Sequence, residues 1–310
     1  MSKKINIIIL VCLTIALYQC DSRLGKNKSL NDVFAEKLPD KSPVLFLPEL
    51  LDEKMNIQSI TFSKDYMEFY FTQFKDDTII MTSQMVSGKW TKPSPAKFSG
   101  TYCDFEPFIS PDGQSLYFAS KRPSKGKSNM QNDIDIWKVY REGPLWSEPE
   151  ILNDFVNTDC MEYYPSVTKK GNLYFGRNDS ALTRGDIYFS EIVHGKYSDP
   201  RKLPETINLP ATSFNAYISP DEKYIIFSTY IFEIEHWHSD LFISHRIQNG
   251  NWGDAFNLGN TINSKGNELS PWVSYDGKYL FFASTRSDTS GINKKYNIYW
   301  ISTSAIKGFN

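Results

Sequence analysis

The sequence predicts an all-β chain in which five four-stranded antiparallel sheets surround one axis, a five-bladed β-propeller. Three observations carry this prediction. A unit of about fifty residues recurs five times from Pro43 onward. Each copy opens with a tight turn followed by an aromatic strand. The domain also begins with a lone apolar strand, and its last copy lacks a fourth one.

Composition agrees. The chain has 310 residues, 15% of them aromatic, a formal net charge of −2 and a mean hydropathy of −0.42. Short aromatic strands joined by polar turns give these values, and a membrane bundle does not. Lysine and arginine are scattered, without the basic stripe that phosphate backbones require, so nucleic acid is excluded as a partner.

Residues 1–19 stand apart. Lys3 and Lys4 precede the apolar run Ile5–Leu17, the pattern of a secretory signal too short to span a bilayer comfortably. The segment resembles bacterial lipoprotein signals, with Leu17 three positions before Cys20, although Gln19 stands where such signals carry a small residue. That resemblance implies lipidation of Cys20 and a place in the cell envelope, periplasmic or surface-exposed, with the lipid as the sole membrane contact. Ordinary cleavage or a retained anchor are the alternatives. Residues 20–42 are polar and without sustained period, and read as a tether leading to the propeller domain, residues 43–310.

The first turn of each repeat is Phe62-Ser63-Lys64-Asp65, Ser110-Pro111-Asp112-Gly113, Thr168-Lys169-Lys170-Gly171, Ser219-Pro220-Asp221-Glu222 and Ser274-Tyr275-Asp276-Gly277. Second strands follow at Phe69–Phe71, Leu116–Phe118, Leu173–Phe175, Ile225–Phe227 and Leu280–Phe282. Third strands lie around Thr78–Met81, Asp135–Trp137, Asp186–Tyr188, Asp240–Phe242 and Asn297–Trp300. A fourth strand is expected at aromatic-x-x-Pro: Trp90 to Pro93, Trp146 to Pro149, Tyr197 to Pro200, with Trp252 to Ala255 as a degenerate copy. Asn157, Asn208 and Asn263 recur in register before the first strands. The orphan strand Pro43–Pro48 is expected to complete the last blade and so remove two open edges. A six-bladed ring is the alternative, and would need one more repeat.

Glu-x-x-Pro, then Ser-Pro-Asp-Gly, an aromatic strand and Asp-Ile-aromatic together resemble the TolB-like, WD-repeat-like propeller family over nearly all of Pro43–Ser302. The resemblance implies the propeller fold and, as in many envelope assemblies, a docking role; the blade itself serves many functions.

Tight turns on one face leave function to the opposite face, where the expected long loops are Lys121–Asn132, Asn178–Gly185, Tyr230–Ser239 and Ser287–Tyr296. Asp104, Glu162 and Glu268 share one repeat position and are expected near the axis on this face. There they would bind a divalent cation or act as acid and base, or else bond their own blade crossings. Arg122, Arg177 and Arg286 follow the second strands, either as a clamp for an anion such as a uronic acid or as braces for the loops. His236 and His238, spaced to share one side of an extended chain, are the weak metal candidates, and Trp237 between them offers a stacking surface. Cys103 and Cys160 are expected as half-buried thiols, with a disulfide between them as the alternative.

Regular repeats without a complete catalytic set favour a non-catalytic, envelope-anchored module that needs no cofactor and binds a protein or a glycan through its long-loop face. The alternative is a carbohydrate-active enzyme, hydrolase or lyase, using carboxylates near the axis.

Overall fold

The computed structural model describes residues 29–34, 38–52, 54–124, 133–178, 184–233, 236–286 and 295–309. The expected signal and Cys20 lie outside them, as do the side chains of His236 and Trp237.

The chain folds as five antiparallel blades. Blade 1 comprises Asn56–Phe62, Glu68–Phe74, Thr78–Val86 and Ser94–Pro95. Blade 2 comprises Asp104–Ile109, Ser115–Ser120, Asp135–Glu142 and Glu150–Ile151, and blade 3 Glu162–Val167, Leu173–Asn178, Gly185–Ser190 and Arg201–Lys202. Blade 4 comprises Ser213–Ile218, Tyr224–Glu233, His236–His245 and Phe256–Asn257. Blade 5 takes Glu268–Val273, Tyr279–Ser284 and Asn297–Ser302 from the end of the chain, and its outer strand, Val44–Leu45, from the beginning.

That closure is antiparallel, Val44 opposite Trp300 and Leu45 opposite Tyr299, and Phe46 N continues it by donating to Ile298 O at 2.9 Å. Phe46 then turns inward, where its ring meets Phe62, Phe69, Phe281 and Trp300 edge-on, with centroids 5.3–5.8 Å apart. The ring is thus fastened by backbone pairing at the rim and by aromatic packing between blades 1 and 5.

The first turns explain their own recurrence. Ser110 Oγ accepts from Ser115 N at 3.0 Å, Asp112 Oδ1 accepts from Gln114 N at 3.0 Å, and Gly113 sits at φ +76°. Serine and aspartate therefore satisfy the donors that the reversal frees, and glycine takes the left-handed residue without strain. The recurring asparagines work likewise: Asn208 Oδ1 accepts from Ile187 N at 2.7 Å while its amide donates to Ile187 O and Leu203 O. Asn157 and Asn263 repeat the bridge to Ile136 and Leu241.

Three local expectations need correction. Trp90, Trp146 and Tyr197 lie in small hairpins extending the third strands, and the fourth strands come after them. Tyr230–Ser239 is no loop: its aromatic and β-branched residues extend the hairpin of blade 4, paired as far as Glu233 opposite His236. The polar tether contains a helix, Leu30–Phe34, capped by Ser29, which exchanges hydrogen bonds with Asp32. Its buried Phe34 stacks on Trp90 and meets Phe46 and Trp300 edge-on, so the helix belongs to the core. Cys103 and Cys160 are free thiols, partly buried.

Candidate functional site

The inner strands of all five blades carry a bulge at the same place, between Gln58 and Thr61, Phe105 and Phe108, Tyr163 and Ser166, Phe214 and Tyr217, and Leu269 and Trp272. At each bulge one residue takes a left-handed backbone: Ser59, Glu106, Tyr164, Asn215 and Ser270, with φ between +50° and +56°. A bulge inserts a residue and re-aims a side chain. These five form a ring around the axis. Asn215 Nδ2 donates to Ser270 Oγ at 2.9 Å, Ser59 Oγ donates to Ser270 Oγ at 3.1 Å, and Tyr164 OH reaches Pro271 O at 3.0 Å.

Glu106 is the one acid in this ring. Its backbone N–H donates to Thr72 Oγ1 at 2.8 Å, and its Oε2 accepts from Tyr164 N at 2.7 Å. Among the described residues no cation pairs with it. Burial pushes its carboxyl up to about 8, against which the Tyr164 hydrogen bond pulls only weakly. The side chain is nonetheless part-exposed, the condition of a group enclosed by protein but open to a channel. Toward the tight turns, Phe108 of blade 2 packs near Tyr217 of blade 4, and in blade 5 Trp272 meets Tyr275 edge-on.

Tyr163 stands beside it. Burial first, and then the Glu106 charge, push its hydroxyl well above the ordinary tyrosine range. Its ring lies flush on Gly176, where a Cβ would fall 2.6 Å from Tyr163 Cε2, and its hydroxyl abuts Gly185, where a Cβ would fall 2.5 Å away. Two glycines in adjacent strands thus make a notch with room for this ring, with Asn178 Oδ1 also close at Gly185. Tyr230 of blade 4, packed on Phe214 at 4.8 Å, also faces this side.

The carboxylates singled out by the repeat do not converge on the axis. Asp104 Oδ1 accepts from Ser120 Oγ at 2.6 Å and from Arg122 Nη2 at 2.8 Å. Glu162 accepts from Thr158 Oγ1 at 2.6 Å and from Arg177 Nε at 2.8 Å. Glu268 accepts from Ser264 Oγ and Ser284 Oγ at 2.7 and 2.6 Å, with Arg286 Nη2 at 3.5 Å. All three are fully buried. Burial pushes Asp104 and Glu162 up, while the hydroxyl bonds and the arginines pull them back.

The arginines are committed too. Arg122 donates to Phe98 O, Arg177 to Phe155 O and Val156 O, and Arg286 to Ile262 O. Each guanidinium lies over aromatic rings of its own blade, such as Phe118, Tyr188 and Tyr299, at 4.9–5.1 Å. The carboxylate–arginine pair therefore staples the crossings into blades 2, 3 and 5, which is why it recurs there. It presents neither an anion clamp nor a cation ring.

His238 Nε2 lies 3.6 Å from Asp240 Oδ1, and among the described residues no group of three His, Cys, Asp or Glu is placed to hold a metal. Beside the crossing from blade 2 to blade 3 lies a groove of about 830 Å³ with Trp137, Ile151, Asp154 and Asp159 in its walls.

No protein-family model and no curated protein matches the sequence. Among solved structures the chain is similar to the endo-arabinase from Bacteroides thetaiotaomicron, at 12% identity and TM-score 0.55, over 86% of this chain and 97% of that one. It is similar also to the structure of an RGII complex of BT0996, at 12% identity and TM-score 0.51, over 86% of this protein and 92% of that one. It covers only 34% of a puromycin-hydrolysing peptidase from Mycobacterium tuberculosis, at 12% identity and TM-score 0.42. What these establish is the propeller fold. The expectation of a non-catalytic docking module is corrected at this point. It rested on regular blades, and a propeller matched over 86% of this chain and 97% of its own is the endo-arabinase, so regular blades do not argue against catalysis.

Proposed function

We propose that this propeller is a carbohydrate-active enzyme that holds a glycan across the long-loop mouth of its axis. Glu106, in its neutral form, gives its proton to the departing glycosidic oxygen as the C–O bond breaks. A water molecule adds its hydroxyl to the anomeric carbon and its remaining proton to the Glu106 carboxylate. The observation that carries this reading is an enclosed axial carboxyl, held up to about 8 and free of any cation among the described residues. An acid that keeps its proton at neutral pH is what protonation of a leaving alkoxide needs. Asp186, whose charge also reaches Tyr163, is tied to Arg184 at 3.2 Å and Lys202 at 2.5 Å, so it does not compete for this role. The substrate class, arabinan-like polysaccharide, is taken from the endo-arabinase whose fold the chain shares.

The test is release of reducing ends from linear arabinan by the full chain. Wild type is expected to turn over, and Glu106→Gln to fall by about a hundredfold or more. Absence of turnover in the wild type, or equal turnover in the variant, would overturn the reading. Envelope attachment through Cys20 belongs to the same proposal. Metabolic labelling with palmitate should mark the wild type, and labelling that persists in Cys20→Ser would refute it.

A further inference from the structure

The wall around the axial mouth is uneven. In blade 2 residues 121–134 separate the second and third strands, and in blade 5 residues 285–296 do so. In blade 4 the strands themselves extend, Tyr224–Glu233 against His236–His245. Blade 1 closes the same connection with residues 75–77 alone, so its rim ends lower than the extended hairpin of blade 4.

A cavity of about 530 Å³ occupies this low point, between blade 1 and the end of the blade 5 connection. Lys54, Lys75 and Lys295 line it, with Asn56, Gln73 and Phe74 between them and Asp76 as its one described acid. Lys295 Nζ donates to Lys54 O at 2.7 Å, which draws that ammonium to the edge of the cavity. Among the described residues no ion pair neutralises Lys54 or Lys75. The cavity is joined to the axial acid by one strand. Thr72, which receives the Glu106 N–H, is followed directly by Gln73, Phe74 and Lys75. Three residues of strand span roughly 10 Å, a distance of one or two sugar rings.

We propose that this notch is a subsite for a uronate residue, so that the glycan taken is an arabinan-like chain that also bears uronate residues and leaves the axis across blade 1. The proposal rests on the carbohydrate reading of the axis and names its substrate class more closely. A sugar carboxylate there meets the Lys54 and Lys75 ammonium groups, the Gln73 amide serves ring hydroxyls, and Phe74 offers an apolar edge. The anion-binding role expected of Arg122, Arg177 and Arg286, which the blade crossings consume, thus falls to lysines at the rim.

The test uses polygalacturonate and linear arabinan as probes in affinity electrophoresis, with the full-length wild type, Glu106→Gln and the double variant Lys54→Glu/Lys75→Glu. Wild type and Glu106→Gln are expected to bind polygalacturonate alike, and the double variant about tenfold more weakly. Binding should also weaken between about 0.05 M and about 0.5 M salt. Circular dichroism checks that the double variant is folded, as exposed lysines allow. No binding of polygalacturonate by wild type, equal binding of it by the double variant, or an equal loss of arabinan binding in the double variant would each overturn the notch. Because Glu106→Gln is read by binding alone, loss of the catalytic reading leaves this outcome legible.

Discussion

The backbone amide of Tyr164 donates to Glu106 Oε2 at 2.7 Å, joining the inner strands of blades 3 and 2 beside the axis. That bond holds the carboxyl in a channel too enclosed to favour its charge. The bond positions the acid, and the enclosure, against the pull of that bond, keeps it protonated.

Stability should record that proton. The carboxyl rises from 4.5 in the unfolded chain to about 8 in the folded one, by burial. Between those values the folded state holds a proton that the unfolded chain has released. The resulting stabilisation is full below about pH 4.5 and is lost as pH climbs through about 8. Glu106→Gln keeps the acceptor for Tyr164 and cannot ionise. Relative to wild type, it should gain on the order of 2–4 kcal/mol on going from acid to pH 9 in urea melts. A constant difference across that range would show that Glu106 ionises freely.

The blade staples should behave as structure. Arg177→Met leaves the buried Glu162 charge without its partner, and should cost about 3 kcal/mol or more in denaturant melts. Glycan turnover per folded molecule should be unchanged. A stable variant with lost turnover would return Glu162 and Arg177 to the chemistry.

Closure depends on Phe46. Phe46→Ala removes edge-on contacts to rings of blades 1 and 5 and should cost about 3–5 kcal/mol, measured by urea unfolding. A truncated protein that starts after Pro48 should associate through the bared edge of Asn297–Ser302, visible by light scattering. A monodisperse, equally stable truncation would disprove closure by the first strand.

The glycine notch places Tyr163. In Gly176→Ala the new methyl meets the Tyr163 ring, which must move, at about 1–3 kcal/mol in melts. If Tyr163 shapes the site beside Glu106, turnover of arabinan should fall further than stability alone explains. Unchanged turnover would confine the notch to packing.

Much of this architecture was legible in the chain. Ser110-Pro111-Asp112-Gly113 and its cognates, and Asn157, Asn208 and Asn263, satisfy local backbone demands that recur from blade to blade. The orphan strand at Pro43 shows by having no partner near it in sequence. Local demands leave local signatures. The helix at Leu30–Phe34 had its own signal, Ser29 three residues before Asp32, too brief to stand out from a polar segment. The site was less legible, although one trace existed. Glu106 is the acid among Ser59, Tyr164, Asn215 and Ser270, and so breaks the repeat that Asp104, Glu162 and Glu268 obey.

The sequence alone determined the turns, because hydrogen-bonding needs within a few residues dictate them. It also determined the number of blades and the manner of closure, because the repeats can be counted and the strand missing from the last one stands at the start of the chain. Tertiary structure decided which carboxylate works. Strand alternation assigns Asp104 and Glu106 to one face, but the bulge beyond Phe105 interrupts that alternation. Asp104 consequently enters the blade, where Arg122 and Ser120 consume it, and Glu106 turns to the axis, where enclosure by all five blades keeps its proton.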